Sequence, residues 1–267
     1  MRLYQWLDQG PLVMGILNVT PDSFSDGGQY QNIEQAIKHA EEMIRWGAKI
    51  IDVGGESTRP GYRQISDAEE IGRIVPVLKE LRSRVSVPLS VDTYKPTVAK
   101  AALQAGATVV NDIWGLSYAR DMAAVIKEYD ADVVIMHNQK GTAYGDYLAE
   151  IMLFFEKQIA WAHKHDIPPE HIVLDPGFGF GKTAEQNLYL MKHLERLHIF
   201  TLPILVGTSR KSTIGKVLDV PVQERLIGSL ATVASLYFKG AQIFRVHDVK
   251  ETVQLLTMLR VIDHAEL

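Results

Sequence analysis

The chain has no cysteine in its 267 residues. That excludes disulfides, cysteine-ligated zinc and thiol nucleophiles together. It has no surplus of positive charge: 28 Lys and Arg stand against 32 Asp and Glu, the net charge is −4 and the pI about 6.1. No overall basic field is therefore present to gather nucleic acid. No apolar run approaches the ~20 residues that a membrane span needs. Met1 to Gly10 lacks the charged-then-apolar order of a secretory signal. The expectation is a cytoplasmic protein that engages neither membrane nor nucleic acid. On the same ground Asn18-Val19-Thr20, which has the form of a glycosylation site, is set aside. Low-complexity tracts and linkers rich in Pro, Gly and Ser are missing too, so a single domain over 1–267 is expected. At 46% hydrophobic and 22% charged, the composition is that of an ordinary globular chain.

What is present is a regular alternation. Short β-branched runs recur at Leu12 to Leu17, Ile50 to Val53, Pro88 to Val91, Thr108 to Asn111, Asp132 to Met136, Ile172 to Leu174, Ile204 to Val206 and Ile243 to Val246. A helical stretch follows each. Ile33, Ala36, Ile37, Ala40 and Ile44 fall on one helix face, as do Leu148, Ile151, Phe155, Ile159 and Ala162. Ser66 with Glu69, Thr183 with Gln186, and Asp248 with Glu251 have the spacing of helix-capping pairs. Eight βα units in a chain near the usual ~250 residues predict an α/β fold of the (β/α)8 TIM-barrel type. An open doubly wound sheet is the alternative, but it gives no reason to stop at eight.

Polar side chains collect where the strands end: Asn18, Asp52, Asp92, Asn111, His137, Asp175, Ser209 and His247. In a barrel those ends converge on the face that carries active sites. One aspartate so placed is ordinarily a helix cap; a whole ring of polar residues argues for a site. The sixth run leads into Asp175-Pro176-Gly177-Phe178-Gly179-Phe180-Gly181-Lys182. Alternate glycines permit positive φ and let a flat ligand approach the main chain. The stretch is not a P-loop, because Pro176 stands where that motif needs its first glycine. Nor is it a dinucleotide fingerprint, because its spacing is G-x-G-x-G.

Asp92, Asn111, Asp175 and Lys211 have neither the spacing nor the composition of a zinc site. They would accept N–H groups and donate to one carbonyl, which suits a planar 2-amino-4-oxo heterocycle. Plain buried Asp–Lys pairs are the alternative. Ile113, Met136 and Phe180 can pack on the faces of such a ring or be ordinary core. The loop from Asn18 to Gly28 is long for a βα connection, usually about 2–6 residues, and carries Phe24 between Asp22 and Asp26. It is either a packed turn or a lid that brings a ring and a carboxylate over a ligand. In the loop from Gly54 to Gly61, Arg59 suits a phosphate or carboxylate. Arg245 and His247 share a strand face by alternation, and a helix N-terminus follows them. Strands eight, one and two are neighbours in a closed barrel, so Arg245, His247, Asn18 and Arg59 can surround one anion. A diphosphate with a divalent cation is the expectation; surface ion pairing is the plainer reading. Ser209 and the main chain of 207–212 suit a carboxylate. Lys211 alone would allow a Schiff-base aldolase, which leaves the anion cluster unused.

Taken together, three stretches resemble the dihydropteroate synthase family of pterin-binding barrels: Met14 to Gly28, Asp52 to Gly61 and Leu174 to Lys182. Val91-Asp92-Thr93, Asn111-Asp112, Thr208-Ser209-Arg210-Lys211 and Arg245-Val246-His247-Asp248 fall in order around them. The resemblance covers the chain from Leu12 onward, with Val53 and Phe178 standing where isoleucine is common. It implies a folate-pathway transferase that joins 6-hydroxymethyl-7,8-dihydropterin diphosphate to 4-aminobenzoate, with Mg2+, and releases 7,8-dihydropteroate and diphosphate. It implies that Asp175 and Asn111 hold the 2-aminopyrimidine edge, Asp92 a ring N–H and Lys211 the carbonyl side. Ile113, Met136, Phe180 and Gly207 complete that pterin pocket. Asn18 would ligate Mg2+, and Thr58, Arg59, Arg245, Val246 and His247 would join it on the diphosphate. Phe24, Pro60 and Ser209 would form an aminobenzoate pocket that sulfonamides also enter, with Asp26 acting from the closing loop. The implied catalytic set is Asp92, Asp175, Lys211, Arg245, His247 and Asp26, working through a dissociative, SN1-like path.

The last two helices carry a further signal. Leu255, Leu256, Met258, Leu259, Val261 and Ile262 circle their helix, and Leu226 to Tyr237 is mostly apolar or small. A second apolar face predicts a partner, and the resemblance implies a homodimer through these C-terminal helices. A helix folded under a loop is the alternative. Two other functions fit part of the pattern. A pterin carrier needs only Asp175 and Asn111, and a pterin-dependent methyltransferase-type barrel has no use for the anion cluster.

Overall fold

The computed structural model describes residues 3–7, 10–20, 29–56 and 64–266, with the main chain alone for 29–31. Among them the elements run α1 (Leu3–Leu7), β1 (Leu12–Asn18), α2 (Gln29–Arg45), β2 (Ile50–Gly54), α3 (Asp67–Arg84), β3 (Leu89–Asp92), α4 (Pro96–Gln104) and β4 (Val109–Asp112). They continue with α5 (Met122–Tyr129), β5 (Asp132–Met136), α6 (Tyr147–Lys164), β6 (Ile172–Asp175) and α7 (Ala184–Lys192). The last are β7 (Leu205–Val206), α8 (Ser212–Leu218), α9 (Leu226–Tyr237), β8 (Ile243–Val246) and α10 (Val249–Asp263). All strand pairs are parallel, in the order β6-β5-β4-β3-β2-β1-β8-β7. The ring closes between β6 and β7 through one parallel bridge, Leu174 with Ile204, and the Leu174 N–H donates to the Pro203 carbonyl at 2.9 Å. This is the expected (β/α)8 barrel. No described helix is long and apolar enough to cross a membrane.

Strands buried on both faces read as nearly continuous apolar runs, yet the two faces differ in what they bury. Val13, Ile51, Val53, Val91, Val110, Val133, Ile135, Leu174, Val206, Phe244 and Val246 point outward into the main core under the helices. The alternate residues Leu12, Met14, Ile50, Val109, Val134, Val173, Leu205 and Ile243 point inward and fill the barrel. Each such side chain, fully buried, contributes roughly 1.5–3 kcal/mol. α1 caps the lower end, where Leu3 joins the inner layer and its N–H donates to Asp132 Oδ2 at 2.8 Å. No element was expected before Leu12.

Stepping two residues up each strand from the apolar layer reaches the polar ring. Asn18 follows Met14 and Ile16, Asp52 follows Ile50, Asn111 follows Val109, Asp175 follows Val173, and Arg245 follows Ile243. The period of two therefore turns every one of these side chains into the barrel. Most strands end one residue later than the β-branched runs do, so Asn18, Asp92 and Asp175 are the final residues of their strands. Asp52 lies deeper, two residues short of the end of β2. The Thr183–Gln186 capping box is present in both directions, and Ser66 Oγ accepts the Glu69 N–H. Asp248 departs from the expected cap: its carboxylate makes no capping bond to α10 because Arg210 takes both oxygens, at 2.9 and 2.6 Å.

Candidate active site

The floor of the mouth is a buried charge network. Arg245 Nε donates to Asp52 Oδ2 and Nη2 to Asp92 Oδ2, each at 2.6 Å, and Asn111 Nδ2 donates to Asp52 Oδ2 at 3.1 Å. The arginine pairs reach from β8 to β2 and β3, and the amide bond joins β4 to β2. Arg245 is thus not the unpaired cation that an anion cluster would suggest, although a guanidinium with five N–H donors can serve carboxylates and a further anion together. Burial works against its charge, but Asp52 and Asp92 outweigh burial and raise its pKa further. Asp92 is pushed up to about 7, by burial first and against the pull of Arg245. The other oxygens, Asp52 Oδ1, Asp92 Oδ1 and Asn111 Oδ1, are buried with no donor among the described residues. An unmet buried acceptor costs about 1–3 kcal/mol, so three in one place mark a surface shaped for N–H donors.

Asp175 adds a fourth acceptor. Gly177 N–H donates to its Oδ1 at 2.7 Å. Burial raises the Asp175 pKa, while the nearby Lys211 charge opposes that rise. Lys211 itself is lowered to about 8, chiefly by burial. Its Nζ donates to the Phe178 carbonyl and sits 4.6 Å from the centre of the Phe180 ring. Arg210, just before it, is left-handed at φ +55° and holds Asp248. Gly207 has its bare Cα beside the ammonium and the base of the Arg245 side chain: a Cβ there would lie 3.9 Å from Arg245 Cβ and 4.0 Å from Lys211 Nζ.

Ile113 and Met136 gather with Tyr94 in one apolar cluster, against which Phe180 and Trp114 pack. Three of these five were expected. Tyr94 and Trp114 were not, although Tyr94 lies at the inward parity two residues beyond Asp92. The glycine loop needs its glycines for close approach: Gly177 has φ +70°, and a Cβ there would come within 2.0 Å of the His137 carbonyl oxygen. Missed entirely in the sequence was a buried network beneath the second loop. Lys95 Nζ donates to Glu56 Oε2 and Glu70 Oε2, both at 2.7 Å, and to the Ile65 carbonyl at 2.8 Å. Glu56 also accepts from Tyr94 Oη and from Ile65 N–H. Residues 56 and 65, on either side of the second loop, are therefore pinned to the start of α4. A lone Lys before a Pro carries no sequence pattern that would announce this.

On the anion side, Ser209 Oγ accepts the His247 N–H at 3.2 Å and bonds His247 Nδ1 at 3.0 Å. Ser209 and His247, expected in different subsites, thus form one unit at the ends of β7 and β8. Val246 contributes only main chain, because its side chain is packed outward in the main core. Asn18 Oδ1 lies beside Gly54, 3.5 Å from the place of a Cβ there, with Asp92 Oδ2 at 3.8 Å from the same point. Among the described residues no three His, Asp or Glu side chains cluster as a metal cage. Asp26 and Phe24 of the first loop, and Thr58, Arg59 and Pro60 of the second, lie outside the described residues.

Comparison with known proteins agrees with this geometry. The family model described as pterin binding enzyme matches residues 14–247. The dihydropteroate synthase of Clostridium beijerinckii is 49% identical over 251 residues, covering 94% of this chain and 93% of that one. The crystal structure of dihydropteroate synthase from Clostridium difficile, determined in the presence of pteroic acid, superposes with a TM-score of 0.94 at 49% identity, covering 96% of this chain and 98% of that one. That of the Yersinia pestis enzyme in a sulfonamide drug complex gives 0.90 at 45% identity, covering 96% of each chain.

Proposed function

The chain belongs to the dihydropteroate synthase family, and from that premise we propose how its own residues carry the transfer. The reaction joins 6-hydroxymethyl-7,8-dihydropterin diphosphate to 4-aminobenzoate and yields 7,8-dihydropteroate and diphosphate. The pterin lies across the mouth with its N–H edge on Asp175, Asn111 and Asp92. Lys211 donates to its carbonyl, and Ile113, Met136 and Phe180 cover its faces. What carries this reading is the group of buried oxygens on Asp92 and Asn111, beside Asp175, that have no donor among the described residues, since a ring bearing several N–H groups is the ligand that would satisfy them.

The diphosphate points toward β8, β1 and β2, where Arg245, His247 and the Val246 main chain meet it, with Thr58 and Arg59 from the second loop. Asn18 fits a Mg2+ ion: one amide oxygen suits a hard cation that keeps its waters and leans on substrate phosphates rather than on a protein cage. Bound there, Mg2+ supplies charge neutralisation to the leaving diphosphate. In the dissociative path the methylene C–O bond breaks first and its electron pair leaves with diphosphate, which Arg245 and His247 receive. The positive charge left on the methylene spreads into the pterin, where Asp175 and Asp92 face it. Burial pushes Asp92 up to about 7, and its carboxylate form, already ionised when the ring binds, stabilises the cation where it develops. The aryl amine then attacks the methylene and gives up a proton, with no strong base needed. Ser209 holds the aminobenzoate carboxylate, between Phe24 and Pro60, and Asp26 closes from the first loop.

The chain acts as one cytoplasmic domain and pairs with a second copy through α9 and α10. Ile227 is 73% exposed, Phe238 63% and Val261 61%, as suits a face that another copy covers. The test is to incubate the protein with the pterin diphosphate, Mg2+ and 4-aminobenzoate and to follow dihydropteroate. Asp175→Ala should abolish the product, and full activity in that variant overturns the pterin assignment. The dissociative path further requires slow loss of diphosphate without aminobenzoate; cleavage wholly dependent on aminobenzoate refutes it.

A further inference from the structure

Lys182 ends the glycine loop, and the reaction as derived above gives it no part. Its side chain is buried, with the whole residue 8% exposed. Nζ lies 2.9 Å from His137 Nδ1, 3.0 Å from the Gly177 carbonyl and 3.0 Å from the Phe180 carbonyl, with the His137 carbonyl further off at 3.4 Å. Three close acceptors match the three protons of an ammonium. His137 can act as one of them because burial, and then the Lys182 charge, hold its pKa down at about 3 and keep the ring neutral. Every close partner of this cation is therefore neutral. No carboxylate of the described residues pairs with it directly. The titratable groups around it are His137 at the end of β5, Asp175 at the end of β6 and Lys211 after β7.

A buried ammonium without a contacting counter-ion is costly, and something must compensate for it. Here the compensation falls on one residue. The Lys182 pKa is lowered to about 7, by burial first, and the Asp175 carboxylate is the group that opposes this fall; reciprocally, Lys182 is among the groups that lower Asp175, after Lys211 and the Gly177 N–H. The same ammonium fixes the Gly177 carbonyl, and the Gly177 N–H is the donor to Asp175 Oδ1. Charge and geometry thus converge on one carboxylate, from a cation distinct from Lys211.

We propose that Lys182 is a positioning residue: its ammonium ties the 175–182 loop to His137 and keeps Asp175 ionised, so that Asp175 accepts the N–H groups of the pterin. The inference rests on the reading of Asp175 as the pterin acceptor. The test measures affinity for 6-hydroxymethylpterin by fluorescence titration from pH 5 to 8, and the two KM values, in the full-length protein. Lys182→Gln keeps a donor and loses the charge. Its acid limb of pterin binding should move up by about one pH unit, which is about tenfold weaker binding at pH values below the limb. The KM for 4-aminobenzoate should stay near that of the parent. Lys182→Arg keeps the charge and should leave the limb in place.

A limb that does not move in a folded Lys182→Gln protein, or a loss equal at every pH and in both KM values, overturns the proposal in favour of a purely structural lysine. If Lys182→Gln does not fold, Lys182→Arg decides. An unmoved limb supports the role of the charge, and a limb displaced by about one unit or more despite the retained charge overturns it. Asp175→Asn separates the two levels. Unchanged pterin affinity there defeats the underlying pterin assignment, whereas lost affinity there beside an unmoved limb in Lys182→Gln defeats only the role of Lys182.

Discussion

Replacing Arg245 with Met tests the charge network directly. The guanidinium donates to Asp52 Oδ2 and Asp92 Oδ2 at 2.6 Å, and the Oδ1 atoms of both residues have no donor among the described residues. The substitution leaves two buried carboxyl groups without their cation. Breaking a buried pair in this way costs about 3–5 kcal/mol, and one arginine serving two acids places the cost toward the upper end. Part of it is recovered by protonation. Asp92 is already pushed up to about 7 by burial, and removing Arg245 takes away the strongest influence holding it down. In the parent, between about pH 4 and 7, the folded protein keeps a proton on Asp92 that the unfolded chain has lost. Stability therefore falls as pH rises through that window, and the variant extends the window upward. We expect a loss of about 4 kcal/mol at pH 8 and roughly half that at pH 5.5. For a chain of this length the pH 8 figure corresponds to a Tm lower by about 8–16 °C. Urea unfolding at the two pH values measures both quantities. Adding Asp92→Asn to Arg245→Met should recover more than half of the loss at pH 8. A cost below about 1 kcal/mol at pH 8, or one that grows toward pH 5.5, refutes the reasoning from buried charge.

Gly177→Ala places a Cβ about 2.0 Å from the His137 carbonyl oxygen at a φ of +70°; it should weaken pterin binding tenfold or more in calorimetric titration, and an affinity unchanged from the parent would mean that the loop has room to shift. Phe238→Asp, at the residue that ends α9, with Val261→Asp in α10 puts charge on the exposed apolar surface of these two helices. Sedimentation should then report a monomer in place of the proposed dimer, and a doubled mass that survives both changes would move the interface elsewhere.

The barrel was legible because its signal is local and repeated. Each strand is a short β-branched run, each helix a striped one, and capping pairs such as Thr183 with Gln186 mark where helices begin. The inward set was legible for a related reason: the period of two that buries Ile50, Val109, Val173 and Ile243 carries Asp52, Asn111, Asp175 and Arg245 to the same side. Asp248 shows the limit. Its spacing to Glu251 has the form of a capping box, but Arg210 lies 38 residues away in sequence and competes for the same oxygens. A bidentate charge-assisted pair outweighs a single capping bond.

What the sequence concealed was who pairs with whom inside the ring. Arg245 reads as a cation waiting for an anion, and only the closed barrel brings it across to Asp52 and Asp92. Lys95 and Lys182 are harder still, because part of what they bind is main-chain carbonyl: Ile65 for one, beside two carboxylates, Gly177 and Phe180 for the other. A carbonyl is present at every position, so no residue type advertises it as a partner. Burial does the selecting. A lysine side chain costs several kcal/mol to desolvate, so each of these two can be where it is only because the surrounding acceptors are fixed. In return, the loop that offers those acceptors cannot rearrange without exposing or stranding the charge. The lysines beside the site therefore hold the main chain next to Asp175 and Glu56, and the ring of polar residues proposed as catalytic takes rigidity from cations to which the proposed reaction gives no substrate contact.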